Sequence, residues 1–279
     1  MTTTLTKPIE PPAAPVRERD WHGAGVGTQI AVLTARSLRK FLTNPRLIIF
    51  SLLQPLIMLL LFSQVFGKAL MGSGLTQGGS YINYLMPAIL VTTGIGASLQ
   101  SGVGLVTEMK NGVLARFRSL PIRLGTVLVA RSISDLVRSA IQLVILLIFA
   151  AILFGFNPAG GILGVTGSLL LALAVSWALT WVFLAIASWL RNEEAMQTVG
   201  FLAMFPLMFA SSAFVPLAAL PIWLKVVATI NPLTYAVDAS RHLSLATPVG
   251  TGVISALGAS AVLAVVGILF AVKGFRRPA

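Results

Sequence analysis

Cysteine is absent from the 279 residues. Disulfides, thiol chemistry and Cys-ligated metals are therefore excluded, while the compartment stays open. Charge is almost as scarce. Charged residues make up 10% of the chain and hydrophobic residues 56%, where a soluble protein carries about 25% charge. Mean hydropathy is +0.90. So little charge cannot cover a soluble surface, which nearly excludes a soluble enzyme and makes an integral membrane protein the expectation. Acids are the scarcest charges: 8 Asp+Glu against 20 Lys+Arg give a net charge of +12. In a soluble chain that surplus points to nucleic acid. In a membrane chain it has another cause, because bases collect on the cytoplasmic side. The two readings separate on where the bases lie.

Groups that do chemistry are also few. The acids are Glu10, Glu18, Asp20, Glu108, Asp135, Glu193, Glu194 and Asp238, and none falls in the middle of an apolar run. The histidines are His22 and His242, too few ligands for a zinc site. A Ser–His dyad on His242 lacks any GxSxG elbow. No GxxxxGK[ST] phosphate loop occurs: Gly67-Lys68 is followed by Ala69, so a pump of this kind must take its nucleotide on another polypeptide. The glycines at Gly23, Gly25 and Gly27 follow no strand and read as a linker. Proton- or ion-coupled transport needs buried acids, and the apolar runs contain none. Residues 1–25 hold Pro8, Pro11, Pro12 and Pro15 and no apolar run of signal-peptide length, so a disordered cytoplasmic tail is expected.

What the chain does have is apolar length. A bilayer core of about 30 Å takes about 20 helical residues. Six stretches suit it, at about 47–66, 84–107, 139–156, 162–190, 195–215 and 253–272. They are continuously apolar rather than alternating, which argues against a β-barrel. Placing the bases on the connections leaves only Lys68, Lys225 and Arg241 on one side. The positive-inside rule then puts both termini in the cytoplasm, and six crossings return the chain to its starting side. The expected fold is an all-α integral membrane protein with a six-helix domain over 44–277. The bilayer is its partner, and nucleic acid is not.

Two further segments are too long to be simple connections. Residues 26–43 suit an amphipathic helix lying in the cytoplasmic interface. Ile30, Leu33, Leu38, Phe41 and Leu42 would face lipid, and Arg36, Arg39 and Lys40 the anionic phosphates; packing on other cytoplasmic parts is the alternative. Residues 216–251 are apolar but broken by Pro216, Pro221 and Pro232. Short half-helices dipping into the outer leaflet fit them, since irregular backbone is tolerated where protein satisfies it. Inside the spans, small residues recur every four positions: Gly160, Gly164, Ser168, Ala172, Ser176 and Thr180, then Gly94, Ser98 and Gly102. Such stripes let helices approach closely, within the chain or between subunits. The fifth span carries Phe201, Met204, Phe205, Met208 and Phe209. Met and Phe form adaptable apolar surfaces for greasy ligands, or they face lipid and core.

The loop after the second span reads Glu108-Met-Lys-Asn-Gly112-Val-Leu-Ala-Arg116-Phe-Arg118-Ser-Leu-Pro121. It resembles the acid-to-Gly-to-Arg-to-Leu-Pro pattern of ABC-2 exporter permeases. Asn231-Pro-Leu-Thr-Tyr235 with Arg241 looks like their NP-x-TY…R segment. Gln54-Pro55, Phe66-Gly67 and Tyr84-Leu-Met-Pro87 also fit. The resemblance covers about 26–277 and is nearest to the daunorubicin/doxorubicin-resistance (DrrB-like) permeases. Met109-Lys110 departs from it, where relatives often have a second charged pair.

The resemblance implies a subunit of the bacterial cell membrane that is not itself an enzyme. It would pair with a second permease copy and with two copies of a cytoplasmic ABC ATPase, which would hold the ATP and Mg. Arg36, Arg39, Lys40, Glu108, Val113, Leu114, Arg116, Phe117 and Arg118 would form the ATPase-docking surface. Glu108 to Arg118 suit a short helix stopped by Pro121. Asn231, Pro232, Tyr235 and Arg241 would form an outer gate, and the Met and Phe residues of the fifth span a substrate path. The cargo would be hydrophobic or amphipathic drugs or lipids. Export of lipid, glycolipid or polysaccharide is the alternative, and an intramembrane enzyme a distant one.

Overall fold

The computed structural model describes residues 25–71, 80–111, 124–215, 217–248, 250–275 and 277. Among the described residues all regular structure is helical. The helices are α1 (Val26–Leu42), α2 (Pro45–Met71), α3 (Tyr81–Lys110), α4 (Leu124–Phe154), α5 (Gly161–Leu190) and α6 (Glu193–Phe209). A 3-10 turn (Leu217–Ala219) leads to α7 (Ile222–Ile230), α8 (Pro232–Ser244) and α9 (Gly252–Phe275). Their boundaries follow local chemistry. Pro45 opens α2, where its missing N–H costs nothing. Asn192 caps α6, its side chain accepting the Ala195 N–H at 3.2 Å, and Glu193 and Glu194 complement the helix dipole in the first turn. Asn231 caps α8 by accepting the Leu233 N–H at 2.9 Å.

Five of these helices are long and apolar enough to cross a membrane: α2, α3, α4, α5 and α9. Their burial differs sharply, and this sets the architecture. Within the span windows, 72% of α3 and 56% of α5 are buried, against 17% of α2, 28% of α4 and 22% of α9. The inner pair touches most of the other helices, and α2, α4 and α9 turn broad apolar faces outward, as a lipid solvent allows.

The small-residue stripes explain why α3 and α5 come so close. Gly94 lies against the Ser176 side chain. Ser98 Oγ donates to the Ser176 carbonyl at 2.8 Å, and Ser176 Oγ to the Gly94 carbonyl at 3.0 Å. At the start of α5, Gly164 and the capping Gly160 fit beneath the main chain of Leu243 and Ser244, and Ser168 shares a hydroxyl hydrogen bond with Ser240. On the other flank of α5, Gly267 of α9 rests on the Trp181 backbone. All these seams lie within the chain. Each residue lets two helices approach at backbone distance, where dispersion and short polar contacts hold them.

The fifth expected stretch, 195–215, is helical only in part. Instead of a continuous helix over 195–215, α6 has 17 residues and ends at Phe209, a rise of about 26 Å. The Ala210 N–H closes the last turn on the Pro206 carbonyl, and the chain then runs irregularly from 210 to 215.

Candidate functional site

Where α6 stops, its final carbonyls and those of the following turn lose their helical partners. Inside a membrane each such group needs a donor from the protein. Two side chains of the Asn231–Arg241 segment supply them. Asn231 Nδ2 donates to the carbonyls of Leu207 at 2.8 Å and Ala210 at 2.7 Å. Arg241 donates from Nη2 to the Ser212 carbonyl at 2.9 Å, from Nε to the Tyr84 carbonyl at 3.1 Å and from Nη1 to Asp238 Oδ1 at 2.9 Å. Its guanidinium lies 3.6 Å from the Tyr84 ring centroid. Ser212 Oγ donates to the same Asp238 oxygen at 2.6 Å, and the Tyr81 hydroxyl to the Phe214 carbonyl at 2.9 Å.

Of the four residues expected at an outer gate, Asn231 and Arg241 thus meet on the end of α6. Pro232 and Tyr235 do not. Both are exposed; Pro232 begins α8, and the Tyr235 hydroxyl donates to the Thr229 carbonyl at 2.7 Å. Tyr81, Ser212 and Asp238 complete the clamp and were not singled out by the sequence. The one signal for Asp238 is its i,i+3 spacing to Arg241.

A groove of about 410 Å³ runs along α2, α3, α4 and α6. Phe201, Met204 and Met208 line it, with Met58, Ile89 and Phe214. Phe205 and Phe209 are not among its lining. They stack on each other at 5.2 Å and stay exposed on another face of α6. The lining is also polar in part, at Gln54, Gln100, Gln142 and Arg138 and at Ser51, Thr92 and Thr93. Gln142 Nε2 donates to the Ser51 carbonyl at 2.8 Å, fixing α4 against α2.

A charge cluster centred on the buried Asp135 lies behind Arg138. Asp135 pairs with Arg138 at 3.3 Å and Arg131 at 3.7 Å, and Ser101 Oγ donates to it. Arg131 also bridges to Glu108 at 2.6 Å. Glu108 therefore lies in the last turns of α3, held by α4, rather than starting a loop helix of its own. The remaining docking candidates of that loop, Val113, Leu114, Arg116, Phe117 and Arg118, lie outside the described residues. On α1, Arg36, Arg39 and Lys40 are exposed. The apolar side of α1 does not all face lipid. Phe41 is buried and lines the groove, and Ile30, Leu33 and Leu38 are half-buried, with Leu42 left exposed. The helix packs on α4, where the Thr34 hydroxyl donates to the Ala130 carbonyl at 3.2 Å and Arg138 lies over the Phe41 ring.

Comparison with known proteins gives this arrangement a family. Residues 28–245 match the ABC-2 type transporter description. The chain is 30% identical over 208 residues to a daunorubicin resistance ABC transporter permease protein, DrrB1, of Streptomyces coeruleorubidus, covering 75% of this chain and 72% of that one. It is 24% identical over 285 residues to a probable doxorubicin resistance ABC transporter permease protein, DrrC, of Mycobacterium tuberculosis, covering 99% of both. A putative transport permease, ycf38, of Porphyra purpurea is 27% identical over 218 residues, 77% of this chain and 73% of that one. The chain belongs to the ABC-2 type transporter family, and within it is similar to permeases named for daunorubicin and doxorubicin resistance.

Proposed function

We propose that this chain is the membrane permease of an ATP-driven exporter for hydrophobic or amphipathic molecules in a bacterial cell membrane. Two copies, or one copy and a close paralogue, work with two copies of a separate cytoplasmic ATPase that binds the ATP and Mg. The observation that carries this reading is the groove, whose lining combines Met and Phe with glutamines and one arginine, in a chain of a transporter family. Six crossings, with α6 and the residues after it as the fifth, put both termini in the cytoplasm in accord with the charge distribution. Closure of the ATPases pushes on the cytoplasmic loop and on α1, and the transmembrane pair rearranges to release cargo past the clamp at the end of α6. A polysaccharide carrier is less well supported, because the groove wall mixes Met with Phe where an aromatic-lined channel is wanted.

The docking loop gives a direct test. Phe117→Asp replaces an apolar residue of that loop with a charge and abolishes ATP-driven transport while leaving the amount of permease in the membrane unchanged. Transport at the parental rate, with normal abundance, contradicts the loop as the coupling element.

A further inference from the structure

The groove has a direction. Its lining on α3 runs from Ile89 to Gln100, a rise of about 16 Å, roughly one leaflet of a hydrocarbon core of about 30 Å. Arg138 lies at the Gln100 end, since its partner Asp135 meets Ser101, and Phe41 lies there with it; Gln54 falls between Phe50 and Met58 along α2. At the Ile89 end lie Met58, Met208 and Phe214. The Gln100 end is also the end at which α3 meets the Glu108–Arg131 pair. A ligand matching this lining has one polar head and a tail about one leaflet long.

The head end also has a sign. Among the described residues of the lining, Arg138 is the charged one and none is Asp or Glu. Its counter-ion Asp135 sits behind it, buried and shared with Arg131 and Ser101. The formal charges of this cluster balance. The acid nevertheless faces inward, while the Arg138 side chain, 32% exposed, faces the groove. A guanidinium has five N–H donors in a planar fork, and among the described residues the Asp135 pair engages Arg138 through Nη2. The segment around Phe41 has the same polarity: Arg39, Lys40 and Arg46 are exposed, and the sequence from Val26 to Phe50 contains no acid.

We infer that the groove takes an anionic single-tailed amphiphile from the inner leaflet, with its head on Arg138 and Gln100 and its tail along Met58, Met204 and Met208. This rests on the groove being the substrate path of the exporter proposed above. Charge-assisted hydrogen bonding to a guanidinium supplies both the affinity and the preference for an oxyanion over a cation of equal tail.

The test uses the full chain in vesicles of neutral phosphatidylcholine. Two photoactivatable probes are compared, dodecyl phosphate and dodecyltrimethylammonium, each carrying a diazirine at the tail end. The phosphate probe labels the α6 wall of the groove about tenfold more than the ammonium probe, the scale of one charged hydrogen bond. Arg138→Gln removes that preference and Arg138→Lys retains it. Gln54→Glu, which adds a negative charge to the same lining, also removes it. Equal labelling of the parent by the two probes overturns the anion assignment and leaves the groove as substrate path standing. A preference that survives both Arg138→Gln and Gln54→Glu overturns it as well. Labelling by both probes elsewhere on the chain, with none on the groove wall, overturns the assignment and the substrate path together.

Discussion

Arg241→Ala destabilises the protein by about 3 kcal/mol, the largest effect expected of any single side chain in the outer segment. The estimate comes from what the guanidinium holds. It gives charged hydrogen bonds to the carbonyls of Ser212 and Tyr84, each worth roughly 1.5–3 kcal/mol, in a position only 9% exposed. Its pair with Asp238 adds little, since that carboxylate is 34% exposed and solvent screens the interaction. Asp238→Asn is therefore mild by comparison. Arg241→Lys recovers less than half of the loss, because an ammonium cannot reach two carbonyls and a carboxylate as one planar fork does. Thermal unfolding of the purified protein in nanodiscs, followed by tryptophan fluorescence, ranks the three variants. An Arg241→Ala protein that melts with the parent contradicts the view that this residue holds the end of α6.

The second large effect lies in the α5–α9 seam. A Cβ added at Gly267 would come within 2.7 Å of the Trp181 carbonyl carbon and 2.9 Å of the Val182 nitrogen. These are backbone atoms, so the clash is relieved only by moving a helix. Gly267→Val accordingly costs about 3 kcal/mol, the upper part of the overpacking range. Gly258, nine residues earlier on the same helix, has no neighbour within 4 Å of such a Cβ. Gly258→Val changes stability by no more than about 0.5 kcal/mol. The same unfolding measurement on the two variants separates them. Equal melting shifts would mean that the seam is not packed as described.

These two regions show what the sequence can carry. Long apolar runs survive as helices because nothing inside them competes with helical hydrogen bonding, and the four-residue stripes mark the faces that meet. The identity of the facing helix is absent from such a stripe: Gly94 meets α5, Gly164 meets α8 and Gly267 meets α5. The end of α6 is harder still. Ala210 to Val215 are no less suited to a membrane than the residues before them. The chain can leave the helix there because Asn231 and Arg241, far along the sequence, supply donors to the carbonyls that fall vacant.

The Met and Phe residues of α6 show a different limit. Met204 and Met208 are four apart, and so are Phe205 and Phe209. The sequence therefore offers two apolar faces at the same helical spacing. Packing against α3 chooses between them, turning Phe201, Met204 and Met208 to the groove and leaving the stacked phenylalanines outside. Glu108 reads as a loop residue for a related reason. Its partner Arg131 sits on another helix, and only the folded chain brings the two together.

The central claim is that this chain carries the membrane path while a separate polypeptide supplies the energy. It is tested most directly in sealed vesicles containing the purified permease, with and without its ATPase, by measuring ATP hydrolysis and uptake of a fluorescent amphiphile together. The permease alone hydrolyses no ATP and accumulates nothing, and adding the ATPase produces hydrolysis and ATP-dependent uptake in inside-out vesicles. Hydrolysis by the permease alone, or a fully coupled ATPase that moves no amphiphile of any charge, contradicts the account.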